Sequence, residues 1–130
     1  MFNFKYFCEV GNYLSKIDEE SFNRSAISRY YYSIFCCVRM YLVLILHERE
    51  FIRGRDSHRR ICLRLIKSHD STEKALGLKL EELRQLRNDA DYNWDLNREY
   101  FRQQINDVKV NTRTAHEYLN ALMSSPPFKL

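Results

Sequence analysis

Apolar residues return every three or four positions along most of this chain, and their phase changes at a few polar or glycine-containing breaks. That pattern predicts about five amphipathic helices. The first covers about residues 3–17, with Phe4, Phe7, Gly11 and Leu14 on one face and Tyr6, Val10, Tyr13 and Ile17 beside it. Asp18 or Ser21 is placed to cap the next helix by accepting from its free N–H groups. That second helix, about Phe22 to Glu48, carries a seam of Ile27, Tyr31, Ile34, Val38, Tyr41 and Ile45 at alternating spacings of four and three. Within its stretch YYYSIFCCVRMYLVLIL, Ser33 and Arg39 are the only polar members. A helix apolar nearly all the way round must be covered on more than one side. In a domain this small, part of that cover is expected from a second protomer, which predicts a homodimer.

Gly54 within REFIRGRDSHRR marks a loop, after which Asp56 or Ser57 caps a third helix turning His58, Ile61, Cys62, Leu65 and Ile66 inward. Asp70 followed by Glu73 reads as a capping-box-like start of the fourth helix, whose seam is Leu76, Leu80, Leu83, Arg87, Ala90 and Trp94. The fifth shows the cleanest seam, Phe101, Ile105, Val108, Thr112, Ala115, Leu119 and Leu122, and SSPPFKL follows as a loose tail. The expected fold class is all-α: an antiparallel bundle of about five helices in one domain, residues 1–123, with a tail at 124–130.

Length and composition agree with this reading. A chain of 130 residues supports one core, which excludes a multi-domain enzyme. Only three glycines and two prolines occur, and both prolines, Pro126 and Pro127, lie in the tail. Cys8, Cys36, Cys37 and Cys62 form no CxxC pair and no metal-type spacing with histidine, so they read as buried free thiols in a reducing compartment. The first ten residues lack the build of a signal peptide, and the longest apolar run, Met40 to Leu46, is too short to span a bilayer. A cytoplasmic protein with no membrane span, no metal and no cofactor is expected.

The charge is unevenly placed. Residues 47–67 hold seven basic and three acidic side chains, and the rest of the chain balances at fourteen of each, so the whole net charge of +4 belongs to one segment. Such a cluster is either a solvated arginine-rich face or a footprint for phosphate backbones. One position in the fourth helix also breaks the binary pattern. Arg87 lies in phase with the leucine seam, with Asp91 one turn later, so it forms an internal ion pair or faces an anion suited to its planar fork. No Gly-rich phosphate loop, GxSxG or paired-carboxylate signal occurs. His47, His58 and His69 recur every eleven residues, but the breaks between them argue against a metal site and leave His58 to cap or line the third helix. Tyr30, Tyr31, Tyr32 and Tyr41 read as core and not as a base-stacking platform.

Three pieces of sequence, in order, carry a resemblance. NRSAISRYYYSIFCCVRMYL resembles the S-R-x-Y-Y-x-x-F-x-x-x-R-x-x-L helix of small prokaryotic HEPN-domain proteins. DSHRRI is similar to the segment that follows it there, and LRQLRNDADYNW to the family's L-x-x-x-R-x-x-A-D-Y ending. The resemblance implies a dimeric helical bundle and metal-independent RNA cleavage at a cleft between protomers, built on an R-x(4–6)-H motif. Arg87 and Asn88 match its first half. Tyr92 stands where the histidine belongs, and the next histidine is His116. The departure matters because histidine titrates near neutral pH and tyrosine at about 10.

On this reading Arg87 contacts the phosphate, Asn88 orients it, Asp91 fixes Arg87, and Tyr92 occupies the lost histidine's place or simply packs at the helix end. His116 is a candidate to reach Arg87 across helices. Arg29 lines the same cleft, and Arg53, Arg55, Arg59, Arg60 and Arg64 hold the RNA backbone, giving binding that weakens steeply with salt. The implied function is that of an RNA-handling protein, a metal-independent endoribonuclease of a toxin–antitoxin or antiviral defence module. The alternative is a catalytically silent module that dimerises and docks a partner protein such as a nucleotidyltransferase.

Overall fold

The computed structural model describes residues 2–125. Five helices account for most of them: α1 (Tyr6–Ser15), α2 (Glu20–Met40), α3 (Ser57–Ile66), α4 (Ser71–Tyr92) and α5 (Arg98–Ser124), with no strand among the described residues. α2 runs through the middle of the bundle, packed by α1, α4 and α5, while α3 lies on α4 and α4 also packs on α5. The three expected seams supply the core: Ile27, Tyr31, Ile34 and Val38 from α2 with Tyr41 just beyond it, Leu76, Leu80 and Leu83 from α4, and every seam position of α5 from Phe101 to Leu122 are buried. No helix among the described residues is long and apolar enough to cross a membrane.

Several local expectations are corrected. The long second helix stops being regular at Met40 and passes through a π turn, Tyr41–Ile45, closed by the Leu46 N–H donating to the Tyr41 carbonyl at 3.1 Å. The cover that apolar α2 requires comes from α1, α4 and α5 of the same chain, so its apolar circumference does not itself call for a second protomer. Apolar side chains stay exposed at several places, among them Leu44 in the π turn and a stripe of Tyr6, Val10 and Tyr13 along α1. Asp18 does not cap α2. It accepts from Arg98 and Arg102, and Glu19 stands at the N-cap without a side-chain bond. Asp56 stands at the N-cap of α3 with left-handed backbone, φ 55°, and also makes no side-chain cap. Trp94 lies beyond the end of α4 and is 86% exposed, so it is no seam residue. Ser124 belongs to α5, and residues 126–130 of the expected tail lie outside the described residues.

The capping box at α4 is half realised. Asp70 accepts from the Glu73 N–H at 2.8 Å, but the Glu73 side chain turns into the protein instead of back to residue 70. Its carboxylate accepts from Tyr41 Oη at 2.8 Å, Arg64 Nη1 at 2.9 Å and Ser68 Oγ at 2.7 Å. Arg64 also grips both oxygens of Glu48, at 2.6 and 2.7 Å. This network ties the π turn, α3 and α4 together beneath the basic segment.

α3 approaches α4 at Gly77. A Cβ there would lie 2.7 Å from Leu65 Cβ and 2.8 Å from the Ile66 backbone nitrogen. Gly-to-Ala in a helix ordinarily helps by about 1 kcal/mol. Here the two helices would have to separate, so Gly77→Ala should destabilise by about 1–3 kcal/mol. Denaturant unfolding checks this, and a gain in stability would contradict the close approach.

Candidate functional site

Arg87 is placed by the leucine seam of α4 and is 7% exposed. Its guanidinium lies over two rings of α2, 5.1 Å from the centre of Tyr31 and 5.5 Å from that of Tyr32. Asp91 is the only carboxylate in ion-pair reach among the described residues, with Oδ2 3.7 Å from Nη1, too far for a hydrogen bond. Nε is buried without a partner. The pair expected between Arg87 and Asp91 therefore exists but leaves most of the guanidinium's donors unused.

The same ring of Tyr31 meets a histidine from α3. His58 Nδ1 is 2.6 Å from Tyr31 Oη, and its imidazole stacks on Phe35 at 4.0 Å and 15°. Burial pushes the Tyr31 hydroxyl far above the usual phenol range, so it keeps its proton and donates it to Nδ1. The neutral ring then carries its own proton on Nε2, as a donor. Burial first, and then the cations Arg87, Arg39 and Arg84, pull His58 down from 6.5 to about 4, so it is neutral at pH 7.

Three further arginines complete the face made by α2, α3 and α4. Arg39 lies over Phe35 at 4.9 Å and donates from Nη2 to Ser57 Oγ at 2.9 Å, while its Nε is buried without a partner. Arg29 lies over Phe7 at 5.0 Å and Tyr32 at 5.6 Å and has no ion pair among the described residues. It lines an open cleft of about 480 Å³ with Ser25, Ser28, Tyr32 and Asp91. Arg84 is held by both oxygens of Glu81, at 2.8 and 2.7 Å. Aromatic faces orient Arg29, Arg39 and Arg87 without neutralising them, which leaves donors and positive charge available to an anion, whereas Arg84 is already paired with Glu81.

Not every expected residue joins this face. Asn88 is half-buried one position beyond Arg87 and makes no side-chain hydrogen bond among the described residues. Tyr92, the last residue of α4, is 73% exposed and contacts neither Tyr31 nor His58 as a ring. Its hydroxyl makes no hydrogen bond among the described residues. Arg53, Arg55 and Arg59 are exposed, and Arg60 is half-buried over Phe51 at 5.4 Å. Arg64 differs from them, because its donors are committed to Glu48 and Glu73 and its charge is spent inside the fold.

His116 does not approach Arg87. It lies against Ser33 and Cys8, and Ser33 is two residues from Tyr31, on nearly the opposite side of α2. All four cysteines are free, but only Cys62 is fully buried while Cys8, Cys36 and Cys37 are half-buried, which corrects the expectation for those three.

The residues missed from sequence are His58, Tyr31 and Arg39. Tyr31 was legible as core and His58 as an α3 residue, but their meeting depends on how α3 lies across α2. No protein-family model matches the chain, and comparison with curated proteins and with solved structures gave no match.

Proposed function

We propose that this chain is an RNA-handling protein of HEPN type that receives a backbone phosphate at Arg87. One observation carries the reading: an arginine only 7% exposed whose Nε has no partner and whose carboxylate stands 3.7 Å away. Buried charges are ordinarily paired and hydrogen-bonded, because leaving them otherwise is costly. A phosphate would supply the acceptors that Asp91 does not, in the planar geometry the fork prefers. Arg29 and Arg39 would hold neighbouring oxygens, and the exposed Arg53, Arg55 and Arg59 would follow the backbone outward.

His58 takes the part that the motif leaves empty. Its Nε2–H would donate to a phosphate oxygen. The arriving negative charge would offset the repulsion of the three arginines and raise the imidazole toward the neutral range, where a proton can be handed on. The reading includes a homodimer, with the exposed stripe Tyr6, Val10 and Tyr13 as its apolar surface, and a toxin or defence role in a reducing cytoplasm. The second reading, a silent module that docks a partner protein, is favoured by Tyr92 at the motif's histidine position and by the exposed aromatic pair Tyr92 and Trp94.

The test is incubation of structured and single-stranded RNA, without added metal, with wild type, Arg87→Ala and His58→Gln, together with binding at rising salt. Wild type should bind and cleave. Arg87→Ala should lose about a hundredfold or more in cleavage, as when one preorganised donor to a developing charge is removed. His58→Gln should bind nearly as well and cleave poorly. Binding without cleavage by any of them would retain the site and remove the enzyme. No binding by wild type at low salt would leave the docking module.

A further inference from the structure

On the other side of α2 from Arg87, Ser33, His116 and Thr112 gather around a second cleft. Ser33 Oγ donates its proton to the Tyr30 carbonyl at 2.7 Å, so any other group approaching that oxygen must be a donor. Cys8 Sγ is 3.0 Å away and donates its thiol proton, and His116 Nε2, at 3.1 Å, must carry its proton to do the same. The neutral imidazole then has a bare lone pair on Nδ1, and Nδ1 is buried with no partner. One helical turn earlier, Thr112 is 2% exposed and its Oγ1 is also unpartnered. Two of the few orphaned buried polar atoms among the described residues thus stand together on α5.

Both residues line one cleft of about 260 Å³, with Cys8, Asn12 and Tyr30 on the facing wall and Lys109 and Arg113 along the edge. Tyr30 Oη donates to Asn12 Oδ1 at 2.6 Å, which leaves the Asn12 amide N–H groups for something else. Neither Lys109 nor Arg113 makes an ion pair among the described residues. The inner end lacks a donor for Nδ1 and a partner for a hydroxyl, and the outer end lacks an anion. A carboxylate or phosphate pointing inward would meet a lone pair, and an ammonium would meet a wall that carries Lys109 and Arg113. A hydroxyl group suits the inner end and a negative charge the outer. The cleft is smaller than the roughly 300 Å³ at which drug-sized pockets begin, so the occupant is small.

We propose that this cleft binds a small hydroxylated anion, such as a phosphorylated polyol, with a ligand hydroxyl between His116 Nδ1 and Thr112 Oγ1 and its anionic group on Lys109 and Arg113. The site is separate from the Arg87 face and does not depend on the RNA reading.

Cys8 reports on it, because its half-buried thiol lines the same cleft, while Cys36 does not. The full chain is alkylated with iodoacetamide and the rate at each cysteine followed by mass spectrometry, with glycerol 3-phosphate, ribose 5-phosphate, methyl phosphate or glycerol present. The two sugar-type phosphates should slow Cys8 and leave Cys36 unchanged, and methyl phosphate, which offers no hydroxyl, should protect less. Thr112→Val keeps the shape and Arg113→Ala alters an exposed side chain, and each should raise the half-protecting concentration about tenfold, the worth of one lost hydrogen bond. An unchanged Cys8 rate with every probe overturns the proposal. So does protection that survives both substitutions. The same holds if the ¹⁵N shift of His116 Nδ1 is already that of a hydrogen-bonded nitrogen in the free protein and no probe moves it, which would mean an ordered water only.

Discussion

Replacing Glu73 with alanine is expected to lower the free energy of unfolding by about 3–5 kcal/mol, the sum of an unsatisfied buried hydroxyl, a lost charge-assisted hydrogen bond and the space left behind. The carboxylate is 1% exposed and accepts from three side chains, so its removal leaves the Tyr41 hydroxyl buried without an acceptor and Arg64 with Glu48 alone. Glu73→Gln keeps the shape but presents an NH₂ where an acceptor is needed, and should cost about 1–3 kcal/mol, the range for one unsatisfied buried group. The acid limb of stability separates the charge from the shape. Burial pushes Glu73 up, but the hydrogen bonds from Arg64, Ser68 and Tyr41 together outweigh it and hold the group below its ordinary 4.5. A depressed carboxyl stabilises the fold above its unfolded value, and that contribution is lost as pH falls below about 4.5. Wild type should therefore lose stability there more steeply than Glu73→Gln. Urea unfolding at a series of pH values measures it, and parallel curves would show that folding leaves the Glu73 carboxyl unshifted.

Arg24→Ala should be the next most damaging change, at roughly 3 kcal/mol, with a fall in Tm on the order of 10 °C. Arg24 sits early in α2 and gathers the end of α4. It donates to the carbonyls of Asp89 at 3.4 Å, Ala90 at 3.1 Å, Asn93 at 3.0 Å and Leu96 at 2.7 Å. Those include carbonyls that a helix C-terminus leaves without partners, and the cation also suits the negative end of the helix dipole. Nε pairs with Glu20 at 2.9 Å, and the guanidinium covers the ring of Phe101 at 4.2 Å. One side chain thus joins α2, the α4–α5 connection and α5. Arg24→Lys should recover only part of the loss, since a single ammonium cannot fork to four carbonyls. Full recovery by lysine would mean that charge alone matters there.

Helix existence and facing were legible because burial writes itself into sequence as a period of three and four. The seams of α2, α4 and α5 and the Asp70 cap follow from neighbours within one or two turns. Arg24 was not legible, because in NRSAISR it reads as one more polar residue of a helix surface, and the carbonyls it gathers lie more than sixty positions away. Arg87 stood out because it violates its own seam. His58 conforms to its seam and so gave no sign that its ring would meet Tyr31 across two helices. The basic segment looked uniform by composition, yet Arg64 is spent on buried carboxylates while Arg53, Arg55 and Arg59 stay exposed. Charge counts do not reveal which charges are already answered.

The π turn at Tyr41–Ile45 is the last turn of the helix, and it decides how the chain leaves the bundle. Tyr41 and Leu42 are both buried there, while Ile45, next in the arithmetic of the seam, is only half-buried. The widened turn lets the Leu46 N–H reach the Tyr41 carbonyl at 3.1 Å and the Glu48 N–H reach the Leu42 carbonyl at 2.8 Å. Two carbonyls that a plain helix end would leave to water are thereby answered, and Glu48 is delivered to Arg64.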